Sequence, residues 1–150
     1  MGLSTDSLFI AAISADSEVM EAIGGRLYST AIPLPDEAAD NVPLPYVIVT
    51  FDGMTNDTTT KDDLYESDCD TVTVSVIVAS ESRSALADLM TRLRGIIHDY
   101  LVAHQDDGNE SMDDYNLTAT SVDYDPFRPC YWQTLRYQCY VQNQSDNEQD

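Results

Sequence analysis

Histidine and cysteine are the residues of this chain best suited to bind a metal ion or to act as nucleophiles. The two histidines, His98 and His104, are six residues apart, whereas two metal ligands on one helix face need a spacing of three or four. The three cysteines, Cys69, Cys130 and Cys139, form neither a CxxC pair nor a Cys/His cluster. We therefore predict no zinc site. The cysteines are expected to be free thiols packed in strands, and the histidines to be solvated or to cap a helix.

Carboxylates are concentrated in residues 104–114, HQDDGNESMDD. Carboxylate oxygens bind calcium, but the DxDxDG register of an EF-hand loop is absent, so only a weak, adventitious cation site is conceivable there. The chain also has no Gly-rich phosphate loop, no GxSxG and no Rossmann fingerprint. We predict a protein that is not an enzyme and that needs no cofactor.

The composition is strongly acidic. The chain has 27 Asp and Glu against 7 Lys and Arg, for a net charge of −20. Such a surface repels nucleic acid phosphates and anionic membranes, and no apolar run approaches the roughly 18 residues that a membrane span needs. Near 1 M salt the Debye length is only about 3 Å, so the repulsion between the acidic groups of the chain is largely screened in a halophilic cell. We favour a halophilic source for a soluble protein without membrane contact; an ordinary acidic protein is the alternative.

Apolar periodicity predicts the helices. Two short helical segments, over residues 5–13 and 16–23, precede Gly24 and Gly25, which are suited to end the second segment. Ser80 or Ser82 is expected to cap a longer helix of about 20 residues, whose apolar side chains follow one stripe. Its stripe consists of Leu86, Leu89, Met90, Leu93, Ile96, Ile97, Tyr100 and Leu101.

Alternation predicts the strands. Val alternates with Thr and Ser over residues 70–80, which is typical of a half-buried strand, and this strand forms a hairpin with residues 46–52. Residues 26–29 can form a short strand, and two more are predicted over residues 115–124 and 130–142. The predicted fold class is α+β, with a small, mostly antiparallel sheet packed against one long helix plus the short N-terminal helical segment.

The domain prediction follows from this order of elements. Residues 1–142 are expected to form a single domain, and residues 143–150 a disordered acidic tail. The connection between the two hairpin strands, residues 52–70, is far longer than the usual two to five residues. Its most polar part contains the only lysine of the chain. The residues of interest in it are Asp57, Lys61, Asp62, Asp63 and Glu66.

Arginines are rare here, so each is a candidate for a subunit or partner interface. Arg92 and Arg94 lie off the apolar stripe of the long helix or at its edge. Arginine is favoured in interfaces, and a neighbouring acidic subunit would attract it. The alternative is a pair of solvated side chains with Asp88 and Asp99 as partners on the same helix.

The last predicted strand offers a second candidate interface. Alternation places Trp132, Arg136 and Tyr140 on one face, and aromatic residues with arginine are common in interfaces. Simple stacking of side chains across strands is the alternative. The other face, expected to be core, carries Tyr131, Leu135, Tyr137 and Val141.

The order of these signals resembles the phage tail-terminator, or tail-completion, family over about residues 3 to 142. The resemblance rests on the turn GRLY, the proline-flanked strand PYVIVTF, the strand TVTVSVIV, the helix start SRSALADLM and the aromatic, Arg-bearing last strand. These motifs form a pattern and include no invariant catalytic residue. The long acidic loops and the scarcity of lysine depart from the usual bacteriophage members and point to a virus of a salt-loving archaeon.

The resemblance implies a structural virion protein of the neck, at the head-tail junction, assembled in the host cytoplasm. Such a subunit forms a homo-hexameric ring that caps the tail tube, binds the major tail tube protein and meets a head-completion or connector protein. Genome DNA passes through the ring without specific binding, and a lumen lined with carboxylates would repel its phosphates. The loop of residues 52–70 would then project toward the lumen or an adjoining ring; a plain solvated loop is the alternative.

Two other functions remain open at this point. Another neck ring, a head-tail connector or stopper, uses related small α+β subunits. An acidic DNA-mimic inhibitor, from a different class of proteins, would also carry a charge of −20.

Overall fold

The structure, a computed structural model, describes residues 5–29, 42–56, 69–103 and 110–143 of the 150-residue chain. Within these ranges the chain forms three helices and six strands. Their order is α1 (Asp6–Ser14), α2 (Ser17–Ala22), β1 (Leu27–Tyr28), β2 (Tyr46–Asn56), β3 (Cys69–Ser80), α3 (Arg83–Ala103), β4 (Glu110–Ala119), β5 (Asp123–Asp125) and β6 (Cys130–Asn143). Among the described helices, none combines the length and apolarity that a bilayer crossing requires.

The six strands form one sheet in the order β1-β2-β3-β6-β4, and β5 pairs with β6 beside β4. The β1–β2 pair is parallel and the other pairs are antiparallel. The predicted α+β class, with a mostly antiparallel sheet and one long helix, is confirmed. So is the hairpin of β2 and β3, whose register joins Val47 to Val78 and Val49 to Val76.

The core lies between the helices and one face of the sheet. In the strand register, the even-numbered valines of β3 lie opposite odd-numbered apolar residues of β2 and β6. Since side chains alternate along each strand, these residues all point to the same face of the sheet. The apolar stripe of α3 covers them, and α1 packs against both α3 and β2. Fully buried members include Val72, Val74, Val76, Val78, Leu86, Leu93, Ile97, Leu135, Tyr137 and Cys139.

The helices begin and end largely where the capping residues and glycines of the sequence predict. Asp16 is the N-cap of α2, and its Oδ1 accepts a hydrogen bond of 3.1 Å from the Glu18 N–H. Gly24 and Gly25 follow α2 with φ of 60° and 74°, a conformation that suits glycine. Before α3, the Ser82 hydroxyl accepts a hydrogen bond of 3.1 Å from the Ala85 N–H, so Ser82 is the capping serine.

The acidic connection before β4 is shorter than predicted. β4 already begins at Glu110, whereas the sequence predicts a strand only from residue 115, and it ends at Ala119 before the separate strand β5. Glu110 pairs with Asn143 of β6. This pairing with β6 extends β4 toward its N-terminus and outweighs the poor strand propensity of the acidic residues. Asn143 is thus the last residue of β6 and does not begin the predicted tail. The rest of that tail lies outside the described residues.

Candidate functional site

The second face of the sheet, directed away from α1 and α3, is the surface that we call the open face. Its composition is unusual for a chain of charge −20, because hydroxyl, amide and apolar side chains dominate it. In the described residues it includes Tyr46, Ile48, Thr50, Thr55, Thr71, Thr73, Ser75, Ile77, Asp114, Asn116, Thr118, Asp123, Trp132, Thr134, Arg136, Gln138 and Tyr140. Three of the predicted interface residues, Trp132, Arg136 and Tyr140, therefore share one face.

Arg136 lies near the middle of the open face. The strand register places it directly between Ser75 on β3 and Thr118 on β4, and its side chain is exposed. Thr50 on β2 continues this row beyond Ser75. The arginine thus stands among hydroxyl groups, where it can donate hydrogen bonds to a partner's carboxylate or carbonyl oxygens.

A β-bulge brings one carboxylate onto the open face. The pairing of β2 with β3 shifts between Phe51 and Gly53, and Gly53 has φ of 135°. The extra residue, Asp52, accepts a hydrogen bond of 2.9 Å from the Thr50 hydroxyl and another from the Ser75 hydroxyl. The hydroxyls of the open face therefore stabilise this charge within the chain.

Tyr140 and Trp132 occupy opposite ends of the open face on β6. Asn116 donates a hydrogen bond of 3.0 Å to the Tyr140 hydroxyl, which in turn donates one of 3.2 Å to the Gln138 side chain. Trp132 lies between Ala79 and Asp123 in the register and is 37% exposed. Tyr140 is thus held in a polar network, whereas Trp132 offers apolar surface.

Arg92 belongs to a different surface and has different partners from those predicted. It makes a two-pronged ion pair with Asp16, at 3.1 and 3.2 Å, and a further contact of 3.0 Å with Glu18. The expected partner on the same helix, Asp88, is not involved, because the packing of α2 against α3 brings two other carboxylates closer. Arg92 therefore ties α2 to α3, and its hydrogen bond holds the pKa of Asp16 below its ordinary value.

Arg94, on the same helix, is exposed and makes no ion pair with any residue that the structure describes. Its charge acts at a distance on two tyrosines beneath the helix, where it opposes the rise that burial causes in the pKa of Tyr115 and Tyr137. The five predicted interface residues thus divide into two groups, three on the open face and two on the helical layer.

The histidine in the described part of the chain, His98, has a protein partner. Its Nδ1 is 2.6 Å from the Tyr115 hydroxyl, and the two rings meet edge to face with centroids 5.9 Å apart. The rings of Tyr115 and Tyr137, and those of Tyr137 and Phe9, continue this row into the core at 5.4 and 4.9 Å. His98 is exposed, as a solvated histidine is expected to be, but the contact with Tyr115 was not predicted.

The buried titratable groups are poorly suited to chemistry. Cys130 and Cys139 are free, buried thiols in a strand, as predicted, and burial raises the pKa of Cys139 to about 12. A thiol with so high a pKa is not a nucleophile at neutral pH. Burial also raises the pKa of Tyr137, whose hydroxyl has no hydrogen-bond partner among the described residues. Within those same ranges, no cluster of His, Cys, Asp and Glu could hold a metal ion.

Two surface features were not predicted from the sequence. The turn between β5 and β6 carries Phe127, which is 98% exposed, and a groove opens between α2 and α3. The motif DPFRP did predict the turn, and a phenylalanine enclosed by turn residues was the available signal that its side chain is outside. The groove has no sequence signal because it depends on how two helices pack. The predicted loop residues Asp57, Lys61, Asp62, Asp63 and Glu66 lie outside the described residues.

Comparison with known proteins gives a structural likeness only. The sequence matches no family model and no curated protein. Among solved structures, the fold is similar to a chain of the virion of a native gene transfer agent particle, with a TM-score of 0.54 and 13% sequence identity. The likeness covers 93% of this chain and 95% of the other. It therefore concerns the whole fold and not a shared fragment.

Proposed function

We propose that this protein is a structural subunit of a tailed virus particle. The observation that carries the proposal is the fold shared with a virion component over nearly the full length of both chains. The open face supports it, because its hydroxyl, amide and aromatic side chains, together with the exposed Arg136, are suited to contact with other protein subunits. No catalytic activity and no cofactor form part of the proposal.

Within the particle, we place the subunit at the neck, as a tail terminator. Six copies form a ring that caps the tail tube, ends its polymerisation and joins it to the head-completion complex. Genome DNA passes through the lumen, and the carboxylate-rich surface repels its phosphates, so that DNA slides without binding. The same surface, with 20 Asp and a single Lys, suits a virus of a salt-loving archaeon.

Electron microscopy of lysates from a virus lacking this gene tests the proposal. We expect overlong, unattached tails beside filled heads, because nothing would stop tube growth. Free tails of normal length, beside heads that have lost their DNA, would assign the subunit to the head side of the neck, as a connector or stopper. Particles indistinguishable from the wild type would contradict any role in the virion.

A DNA-mimic inhibitor is the second candidate, and the net charge of −20 is the observation that favours it. Such an inhibitor binds a basic partner at fixed stoichiometry and does not form rings. Mass photometry of the purified protein, alone and with a lysate fraction of DNA-binding proteins, separates the two. A stoichiometric complex that DNA competes away would favour the inhibitor.

A further inference from the structure

The groove between α2 and α3, which we call the α2–α3 groove, has an apolar floor on the helical side of the sheet. Its volume is about 670 Å³, and its apolar lining residues are Val19, Ala22, Pro45, Ala85 and Leu89. Ala22 and Ala85 are exposed, one on each helix, and their small side chains leave the space between the helices open. Pockets of this volume enclose organic molecules, so the groove has room for large apolar side chains of another molecule.

The α2–α3 groove is also long enough for a peptide segment. Along α3 its lining extends from Ser82, which caps the helix, to Arg92. At about 1.5 Å per residue, this wall is about 15 Å long. A helical segment of about ten residues, or an extended segment of about five, spans that distance.

Carboxylates dominate the charged lining of the groove. Glu18, Glu81 and Asp88 are exposed there, and Arg92 is the single base among the described residues that line it. This arginine is already paired within the chain, with Asp16 at 3.1 Å and with Glu18 at 3.0 Å. Glu81 and Asp88 make no ion pair with any residue that the structure describes. Two unpaired carboxylates therefore stand beside the apolar floor.

Two further arginines are near the α2–α3 groove but do not line it. Arg83 precedes Ala85 by two residues on α3, and positions two apart face different sides of a helix. Arg26 donates hydrogen bonds of 3.0 and 3.2 Å to the backbone carbonyl oxygens of Pro45 and Leu44. In the described part of the chain, neither arginine forms an ion pair with a carboxylate of the groove.

We propose that the α2–α3 groove binds a basic, amphipathic segment of a partner protein. Large apolar side chains of this segment enter the groove, and its Lys or Arg residues pair with Glu81 and Asp88. Apolar burial supplies the affinity, and the carboxylates select a positively charged sequence. Because the groove and the open face are on opposite sides of the sheet, this contact goes beyond the proposed function and does not depend on it.

The charge of the chain argues against a second copy as the occupant. With 27 acids, 7 bases and a single lysine, the chain contains no run rich in Lys and Arg. An acidic segment would be repelled by the carboxylates of the groove, since a Debye length of about 8 Å at physiological salt screens close charges incompletely. The partner is therefore a different protein, whose basic residues complement the groove.

Selection from a library of random peptides of about 12 residues, the length of the α3 wall, tests the proposal. Peptides are selected on the full-length wild type in about 0.15 M KCl. Those that also bind Ala22→Gln with Ala85→Gln, which fills the groove at two exposed positions without changing the charge, are removed. We expect the remaining peptides to combine large apolar residues with Lys or Arg. An empty set, or one without basic residues, would overturn the proposal.

A pair of charge variants separates the groove from the net charge of the chain. For a remaining peptide, Glu81→Gln with Asp88→Asn should weaken binding about tenfold, measured by fluorescence anisotropy. The matched control, Glu21→Gln with Asp99→Asn, also removes two exposed acids, but neither lines the groove. It should bind within about twofold of the wild type. Equal weakening by both variants would assign binding to the overall charge and overturn the proposal.

Salt distinguishes the two parts of the contact. Because salt screens charge attraction but not apolar burial, the loss caused by the charge variant should shrink in about 2 M KCl, whereas the loss caused by filling the groove should persist. A charge effect of undiminished size would contradict pairing with Glu81 and Asp88. The gene-deletion experiment decides the proposed function independently of these results.

Discussion

Asp16 has two roles, which the structure combines in one side chain. As N-cap it accepts a hydrogen bond from the Glu18 N–H, and as an anion it pairs with Arg92 through both carboxylate oxygens. The first role stabilises α2, and the second joins α2 to α3. Because Asn caps a helix about as well as Asp but carries no charge, substitutions can separate the two roles.

Asp16→Ala should destabilise the protein by about 1 kcal/mol or more through loss of the cap, and Asp16→Asn should cost less. The remaining cost of Asp16→Asn should decrease as salt rises, because the partner Arg92 is substantially exposed. Urea unfolding at low and high KCl measures both effects. A cost for Asp16→Asn equal to that for Asp16→Ala would contradict a separable cap.

Comparison of the wild type with Asp16→Asn also predicts how the free energy of unfolding depends on pH. The folded-state pKa of Asp16 is lowered from 3.8, so its stabilising contribution is complete above the unfolded-state pKa and is lost as pH falls through the folded-state pKa. The difference in unfolding free energy between wild type and Asp16→Asn should therefore be constant near neutral pH and shrink below about pH 4. A difference that grows in acid would contradict this sign.

At the scale of the elements, the bulge in β2 decides which side chains reach the open face. Before it, Phe51 lies opposite Val74, and after it Gly53 lies opposite Thr73, so Asp52 is the extra residue. Its carboxylate is then placed over the hydroxyls of β2 and β3. Gly53 has φ of 135°, and residues with a Cβ rarely adopt this backbone conformation.

Gly53→Ala should destabilise the protein by more than about 1 kcal/mol, although space around that position is open, because its backbone conformation is strained for alanine. Gly95→Ala is the matched control. Gly95 lies on an exposed side of α3 with open space around it, and alanine is the better helix former, so this change should stabilise by about 0.5–1 kcal/mol. Thermal unfolding of the two variants measures the contrast. Equal shifts of the same sign would contradict the bulge.

For the whole molecule, the distribution of charge is the dominant feature. The chain has 27 acids against 7 bases, and in the described residues the acids lie on helices and strands alike. Self-repulsion among like charges opposes the compact state, and it is strong where the Debye length is about 10 Å, near 0.1 M salt. Salt should therefore stabilise the folded chain.

We expect the unfolding free energy to increase by about 2 kcal/mol between about 0.1 M and 2 M KCl, a rise in Tm of about 6 °C for a domain of this size. Differential scanning calorimetry measures it. The variant Glu21→Gln, Asp88→Asn, Asp99→Asn removes three exposed acids and changes the net charge from −20 to −17. Its stability should depend less on salt; an unchanged or larger dependence would show that charge repulsion is not the cause.

Sequence alone was sufficient for the features that depend on local periodicity. The apolar stripe of α3, the alternation in β3 and the glycines after α2 predicted these elements, because helix and strand each expose one face to the core at a characteristic spacing. The sharing of one face by Trp132, Arg136 and Tyr140 followed from the same rule. The α+β class was predictable for this reason.

Only the tertiary structure decided the features that depend on contacts distant in sequence. Arg92 pairs with Asp16, 76 residues away, because two helices pack together, and the segment from Glu110 is a strand because β6 pairs with it. Strand propensity and charge give no warning of either outcome. The α2–α3 groove, the bulge at Asp52 and the orientation of Phe127 are likewise set by packing and strand register, which no local pattern encodes.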